Sequence, residues 1–96
     1  MPLIDVATGI LAANKDLLFL KYPIKELGIF GSVARKEEKT GSDIDILVEF
    51  SKPVGWEIID LAIELEDLLG YKVDLVSKKA IRPNLMPFIV KDIVYV

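Results

Sequence analysis

Two short runs of this chain carry residue types suited to phosphate and metal chemistry. Gly31-Ser32 is followed, after ten residues, by Asp43-Ile44-Asp45, and the whole stretch from 31 to 50 reads GSVARKEEKTGSDIDILVEF. Gly31 lacks a Cβ, so backbone there can approach a phosphate closely. Ser32 offers a hydroxyl and an N–H at the expected start of a short helix, and both suit an anion. Asp43 and Asp45 lie two apart on an expected strand, so both point the same way. Two such carboxylates repel one another and raise the cost of ionising both. A hard divalent cation removes that cost, and magnesium prefers oxygen ligands of this kind. Asp74, within Lys72-Val73-Asp74-Leu75-Val76, sits on a later expected strand. If the two strands are neighbours, three carboxylates can hold one or two metals about 3.5–4 Å apart, the spacing used for phosphoryl and nucleotidyl transfer.

Each part also has a plainer reading. An Asp-X-Asp on an exposed strand is more often a solvated face. A Gly-Ser pair alone is an ordinary strand-to-helix turn with a serine cap. The specific signal is the combination, in this order and on compatible elements.

The elements that must position these residues can be read from periodicity. Residues 3 to 21 form an expected amphipathic helix, with Leu3, Val6, Ile10, Ala13, Leu17 and Leu20 as its stripe, ended by Tyr22-Pro23. Residues 25 to 30 read as a strand, and Thr40-Gly41-Ser42 as a turn. Residues 43 to 50 alternate, with Ile44, Ile46, Val48 and Phe50 on the core face and Asp43, Asp45, Leu47 and Glu49 on the other. Residues 56 to 69 form the clearest helix, with Ile58, Leu61, Ala62, Leu65 and Leu68 or Leu69 inward and Gly70 as its stop. Residues 72 to 76 are a strand. Residues 78 to 92 form a helix interrupted by Pro83 and Pro87, and residues 94 to 96 add an edge strand. The order αβαβαβα(β) is an α/β (α+β) arrangement, a small mixed sheet with helices packed against it. Arg35 is assigned to structural pairing with Glu37, Glu38 or a strand aspartate, and Trp56 to covering the end of its helix and the core.

Composition narrows the chemistry further. The chain has 96 residues, a size that fits one small domain, with a net charge of −3 and no cysteine or histidine. Disulfides, thiolate zinc sites, imidazole bases and Ser-His-Asp triads are therefore excluded, and acid-base or metal chemistry must run on carboxylates. The acidic balance disfavours direct nucleic-acid binding. No apolar run reaches membrane-spanning length and no basic cluster leads the chain, so the expected location is the cytoplasm, with no signal peptide. The hydrophobic share of 52% is rich, which suggests that a partner or a second copy covers some surface, as a homo- or hetero-oligomer.

The stretch from 31 to 50 resembles the signature of the minimal nucleotidyltransferase (MNT) proteins of the DNA polymerase beta superfamily. Its ten-residue spacer is similar to that of the MntA-like antitoxins that pair with HEPN ribonuclease toxins. The resemblance covers nearly the whole chain, residues 1–96, as one minimal nucleotidyltransferase domain. It implies that Gly31 and Ser32 contact the triphosphate of ATP. It implies that Asp43 and Asp45 bind magnesium, two ions in all, and that Asp74 completes the second metal site and favours deprotonation of the attacking hydroxyl. It further implies transfer of AMP to a tyrosine hydroxyl of a HEPN toxin, which neutralises the toxin. Lys36 departs from the pattern, since many members have glycine there. An alternative is a non-catalytic antitoxin that acts by binding alone; the intact carboxylate set argues against it. A stand-alone nucleotide-binding or RNA-modifying module is disfavoured by the missing basic patch.

Overall fold

The computed structural model describes residues 1–96. Strand β2 (Ile44–Phe50) is the axis of the fold. Its Ile44, Ile46 and Val48 side chains are wholly buried, while Asp45 and Glu49 on the opposite face are only half-buried. The period of two therefore separates a core face from a chemical face. β1 (Ile24–Phe30) pairs with β2 antiparallel. β3 (Val73–Ser77) pairs with its other edge in parallel. β4 (Val94–Tyr95) adds antiparallel to β1, giving the order β3-β2-β1-β4. This is the expected small mixed sheet.

A parallel pair needs a crossover, and α3 (Glu57–Leu69) supplies it between β2 and β3. Gly70 ends that helix at φ 73°, a left-handed conformation in which its N–H donates to the Glu66 carbonyl at 2.8 Å. α1 (Leu3–Lys21) packs beside α3 on the core face. Leu11 and Leu18 of α1, Leu27 and Ile29 of β1, and Leu61 and Leu65 of α3 meet the β2 isoleucines in one cluster. Val33 of the one-turn helix α2 (Gly31–Ala34) joins it, so the short helix is anchored from beneath.

Three expectations need correction. The buried residues of α1 are Ile4, Ala7, Leu11 and Leu18, one residue out of phase with the expected stripe; Leu17 and Leu20 are 62% and 83% exposed. This helix is apolar on almost every side, so both phases satisfy the spacing, and the sheet beneath decides between them. Trp56 is 79% exposed and covers no core; with Ile59 and Ile63 it forms an outward apolar stripe on α3. Residues 78 to 92 split into a 3-10 turn (Lys78–Ala80) and α4 (Met86–Asp92). Pro83 lies in the break. Pro87 does not interrupt α4, because it stands in the first turn, where a missing N–H costs nothing.

One polar cluster ties α1 to α3. The Tyr22 hydroxyl donates to Glu64 Oε1 at 2.9 Å, and Lys21 Nζ meets the same oxygen at 2.8 Å. Burial first, then the bond to Glu64, pushes the Tyr22 phenol from 10.0 up to about 12. A group whose folded pKa lies above its unfolded value contributes stability below the unfolded value and loses it as pH rises through the folded one. The Tyr22 contribution is thus complete below pH 10.0 and gone above about 12. Tyr22→Phe should cost about 1 kcal/mol at neutral pH. Urea unfolding across pH 9 to 12 should show the parent falling toward the variant, whose own curve lacks that step.

Candidate active site

The chain leaves β1 at Phe30 and turns at Gly31, whose φ of +75° is left-handed and suits glycine. A second reason excludes any other residue. A Cβ built on Gly31 would collide with Asp45 Oδ2 and lie 3.1 Å from Asp45 Cγ. The missing side chain is the space that the Asp45 carboxylate occupies. Phe30 stands opposite Asp45 in the β1–β2 register and shares its face.

On the other side of Asp45 is Asp74. The parallel register pairs them directly, Asp45 with Asp74, then Leu47 with Val76 two residues further along. The two expected strands are therefore neighbours, and the third carboxylate lies on the same face as the pair. Asp43 precedes β2 by one residue and is exposed. Burial raises the Asp45 pKa above its ordinary value, Asp74 and then Asp43 raise it further, and Arg35 opposes them. Asp45 thus feels both other carboxylates. No three acidic groups stand close enough together to form a ready-made metal cage. Three like charges relax apart, and a hard cation is what would draw such oxygens together. The donor set, all carboxylate and no nitrogen or sulfur, fits magnesium.

Ser32 sits second in α2, and its side chain makes no capping bond; Phe30 holds the cap position. The hydroxyl is thus not spent on the helix. At the far end of α2 the Lys36 N–H donates to the Val33 carbonyl at 3.1 Å and the Glu37 N–H to the Ser32 carbonyl at 2.8 Å. These two bonds form a Schellman closure, in which the residue at Lys36 must be left-handed; its φ is 61°. A glycine would meet this demand without strain. Arg35 pairs with Glu37 at 3.3 Å, as expected, and with Asp92 of α4 at 3.2 Å, a partner the sequence did not indicate. That second pair fastens α2 to α4 on the chemical side of the sheet.

The face is open. A cleft of about 840 Å³ at the start of α1 includes Asp43 and Lys72 but neither Asp45 nor Asp74. A second cavity lies at the far end of β2 and β3. Asp45 and Asp74 stand between them on the sheet.

A glycine-serine turn beside paired acidic strands on a small mixed sheet defines a nucleotidyl-transfer fold. Residues 12–96 match the nucleotidyltransferase domain family. The protein adenylyltransferase MntA of Thermococcus cleftensis is 40% identical over 89 residues, 92% of this chain and 90% of the relative. A candidate protein adenylyltransferase of Methanocaldococcus jannaschii is 46% identical over 98 residues, the full length of both. Among solved structures, a minimal-nucleotidyltransferase candidate superposes with a TM-score of 0.75 at 31% identity, covering 92% of this chain and 93% of its own. A toxin–antitoxin structure with AMP-PNP gives 0.68 at 26% identity, covering 85% and 69%. The chain belongs to the nucleotidyltransferase domain family, and it is a nucleotidyltransferase of the minimal kind.

Two outcomes follow from this geometry. A carboxylate whose pKa is raised in the fold loses stability as pH rises from its unfolded value through its folded one and stays costly above it, so Asp45→Asn should stabilise the metal-free protein at pH 7. Thermal unfolding in EDTA reads it, and a lower melting temperature for the variant would contradict the repulsion. Lys36→Gly relieves a left-handed lysine and should add about 1 kcal/mol in urea titration.

Proposed function

We propose that this protein is a magnesium-dependent adenylyltransferase that moves AMP from ATP to a hydroxyl, a tyrosine, of a HEPN ribonuclease toxin, and so acts as its antitoxin. The observation that carries the reading is the direct register of Asp45 against Asp74 beside the Gly31 turn. It is supported by the 40% identity to a protein adenylyltransferase and by the likeness to a toxin–antitoxin structure with AMP-PNP. In this reading residues 1–96 work as one domain, in the cytoplasm, beside the toxin. No helix is long and apolar enough to cross a membrane. The exposed stripe of Trp56, Ile59 and Ile63 is surface of the kind a protein partner covers.

Gly31 and Ser32 hold the phosphates at the β1 side, through backbone N–H groups and the free serine hydroxyl. Asp43, Asp45 and Asp74 would hold magnesium. Bound there, the metal would neutralise charge on the attacking and leaving oxygens. Asp74, on the edge strand, lies where an acceptor approaching from outside the sheet brings its hydroxyl, and its carboxylate favours loss of the hydroxyl proton. That oxygen attacks the α-phosphorus, a new P–O bond forms, and pyrophosphate leaves toward Gly31-Ser32.

Asp43→Asn with Asp45→Asn should lower transfer of label from α-labelled ATP by at least about 1000-fold, the scale on which electrostatic stabilisation of a transition state is lost. The same variant should fail to protect cells from the cognate toxin. Protection equal to the parent would mean that binding alone neutralises the toxin.

A further inference from the structure

The cavity at the far end of β2 and β3, about 420 Å³, has a charge the rest of the chain lacks. Lys52, Lys78 and Lys79 line it against a single acid, Glu49, which Lys78 Nζ approaches at 3.5 Å. The protein as a whole carries −3. Three cations against one carboxylate leave a local excess of positive charge in an acidic protein, which attracts an anion. Phe50 and Val54 give the same cavity an apolar wall.

Its position says which reactant it serves. Glu49 stands on the same face of β2 as Asp45, four residues on, which is about 13 Å along the strand. Lys78 stands four residues beyond Asp74. The cavity therefore lies on the β3 side, in line with the carboxylates, and away from the Gly31 turn at the β1 side. The nucleotide phosphates belong at that turn, so the cavity is on the acceptor's path. We propose that it is a docking subsite for an acidic segment of the acceptor protein, one that places carboxylates about four extended residues from the modified hydroxyl. This rests on the adenylyltransferase reading above for the acceptor's approach. A nucleic-acid strand fits less well, because these three lysines share one pocket while Glu26 and the three aspartates line the rest of the face, and a phosphate polymer needs a continuous cationic track.

The test uses the whole chain and two synthetic peptides. One carries a tyrosine with two glutamates four residues away, and the other has glutamines in their place. Binding is read by fluorescence anisotropy without ATP or magnesium, so that it stands apart from catalysis. The parent should bind the glutamate peptide at least tenfold more tightly than the glutamine peptide. Lys52→Gln with Lys78→Gln and Lys79→Gln should abolish that preference. These lysines are exposed or half-buried, so circular dichroism should show an unchanged fold. In transfer assays the triple variant should raise KM for the glutamate peptide tenfold and leave kcat and the KM for ATP unchanged. Equal binding of both peptides by the parent, or an undiminished preference in the triple variant, would overturn the subsite. So would a single-stranded RNA that displaces the peptide at lower concentration than the peptide itself binds. Absent transfer with intact peptide preference would instead sink the adenylyltransferase reading and leave the acidic-peptide site standing.

Discussion

The space above Gly31 is what the rest of this structure is arranged around. A half-buried carboxylate beside two others is costly, and Asp45 is in that position because β2 is the second of the four strands, with a neighbour on each side. Its carboxylate fits only because Gly31, the residue that follows β1, has no Cβ. The same residue must turn the chain at a positive φ. Two independent demands, one steric and one torsional, fall on a single atom's absence. That makes Gly31 more constrained than a strand-to-helix turn alone would require.

The fold then has to supply stability away from this face. The main core lies on the other side of β2, between the sheet and α1 and α3, with Leu47 alone of β2's site-face residues buried, and no polar or charged residue is buried. The chemical side is covered only in part. Ile93 and Tyr95 close over Gly28, where a Cβ would lie 2.8 Å from Ile93 Cγ1, and the Arg35–Asp92 pair holds α4 to the end of α2. The C-terminal segment thus shields the β1 side and leaves the Asp45–Asp74 side open. A sheet covered on one face and open on the other can keep uncompensated charge at its surface without burying it.

The strands were legible because alternation in residues 43 to 50 is unambiguous; their boundaries fall within a residue of expectation. The site was legible as residue types at a spacing, and the register of Asp45 with Asp74 was the missing link, since pairing is a property of two distant segments. The phase of α1 was not legible, because Leu3, Ile4, Ala7, Ile10, Leu11, Leu17 and Leu18 satisfy the helical period twice over. Only the sheet's shape selects Ile4, Leu11 and Leu18. Trp56 is ambiguous in sequence for a related reason. Large apolar residues are usually buried, and a stripe with Ile59 and Ile63 looks the same in sequence whether a core or a partner covers it.

Lys36 shows how a local rule and a site can conflict. The chain must close α2 within one turn so that Arg35 reaches Asp92 while Glu37 returns to the Ser32 carbonyl. That closure needs a left-handed residue, for which lysine is a poor choice by about 1 kcal/mol. Asp45 already carries electrostatic cost on the adjacent strand. Both penalties therefore fall around α2 and the Gly31 turn, and neither reaches the core under it. Val33, buried beneath the turn, lets the fold carry them, because it fixes α2 from the core side whatever the strain above. The turn's geometry is thus set by packing below and by the absence of a side chain above.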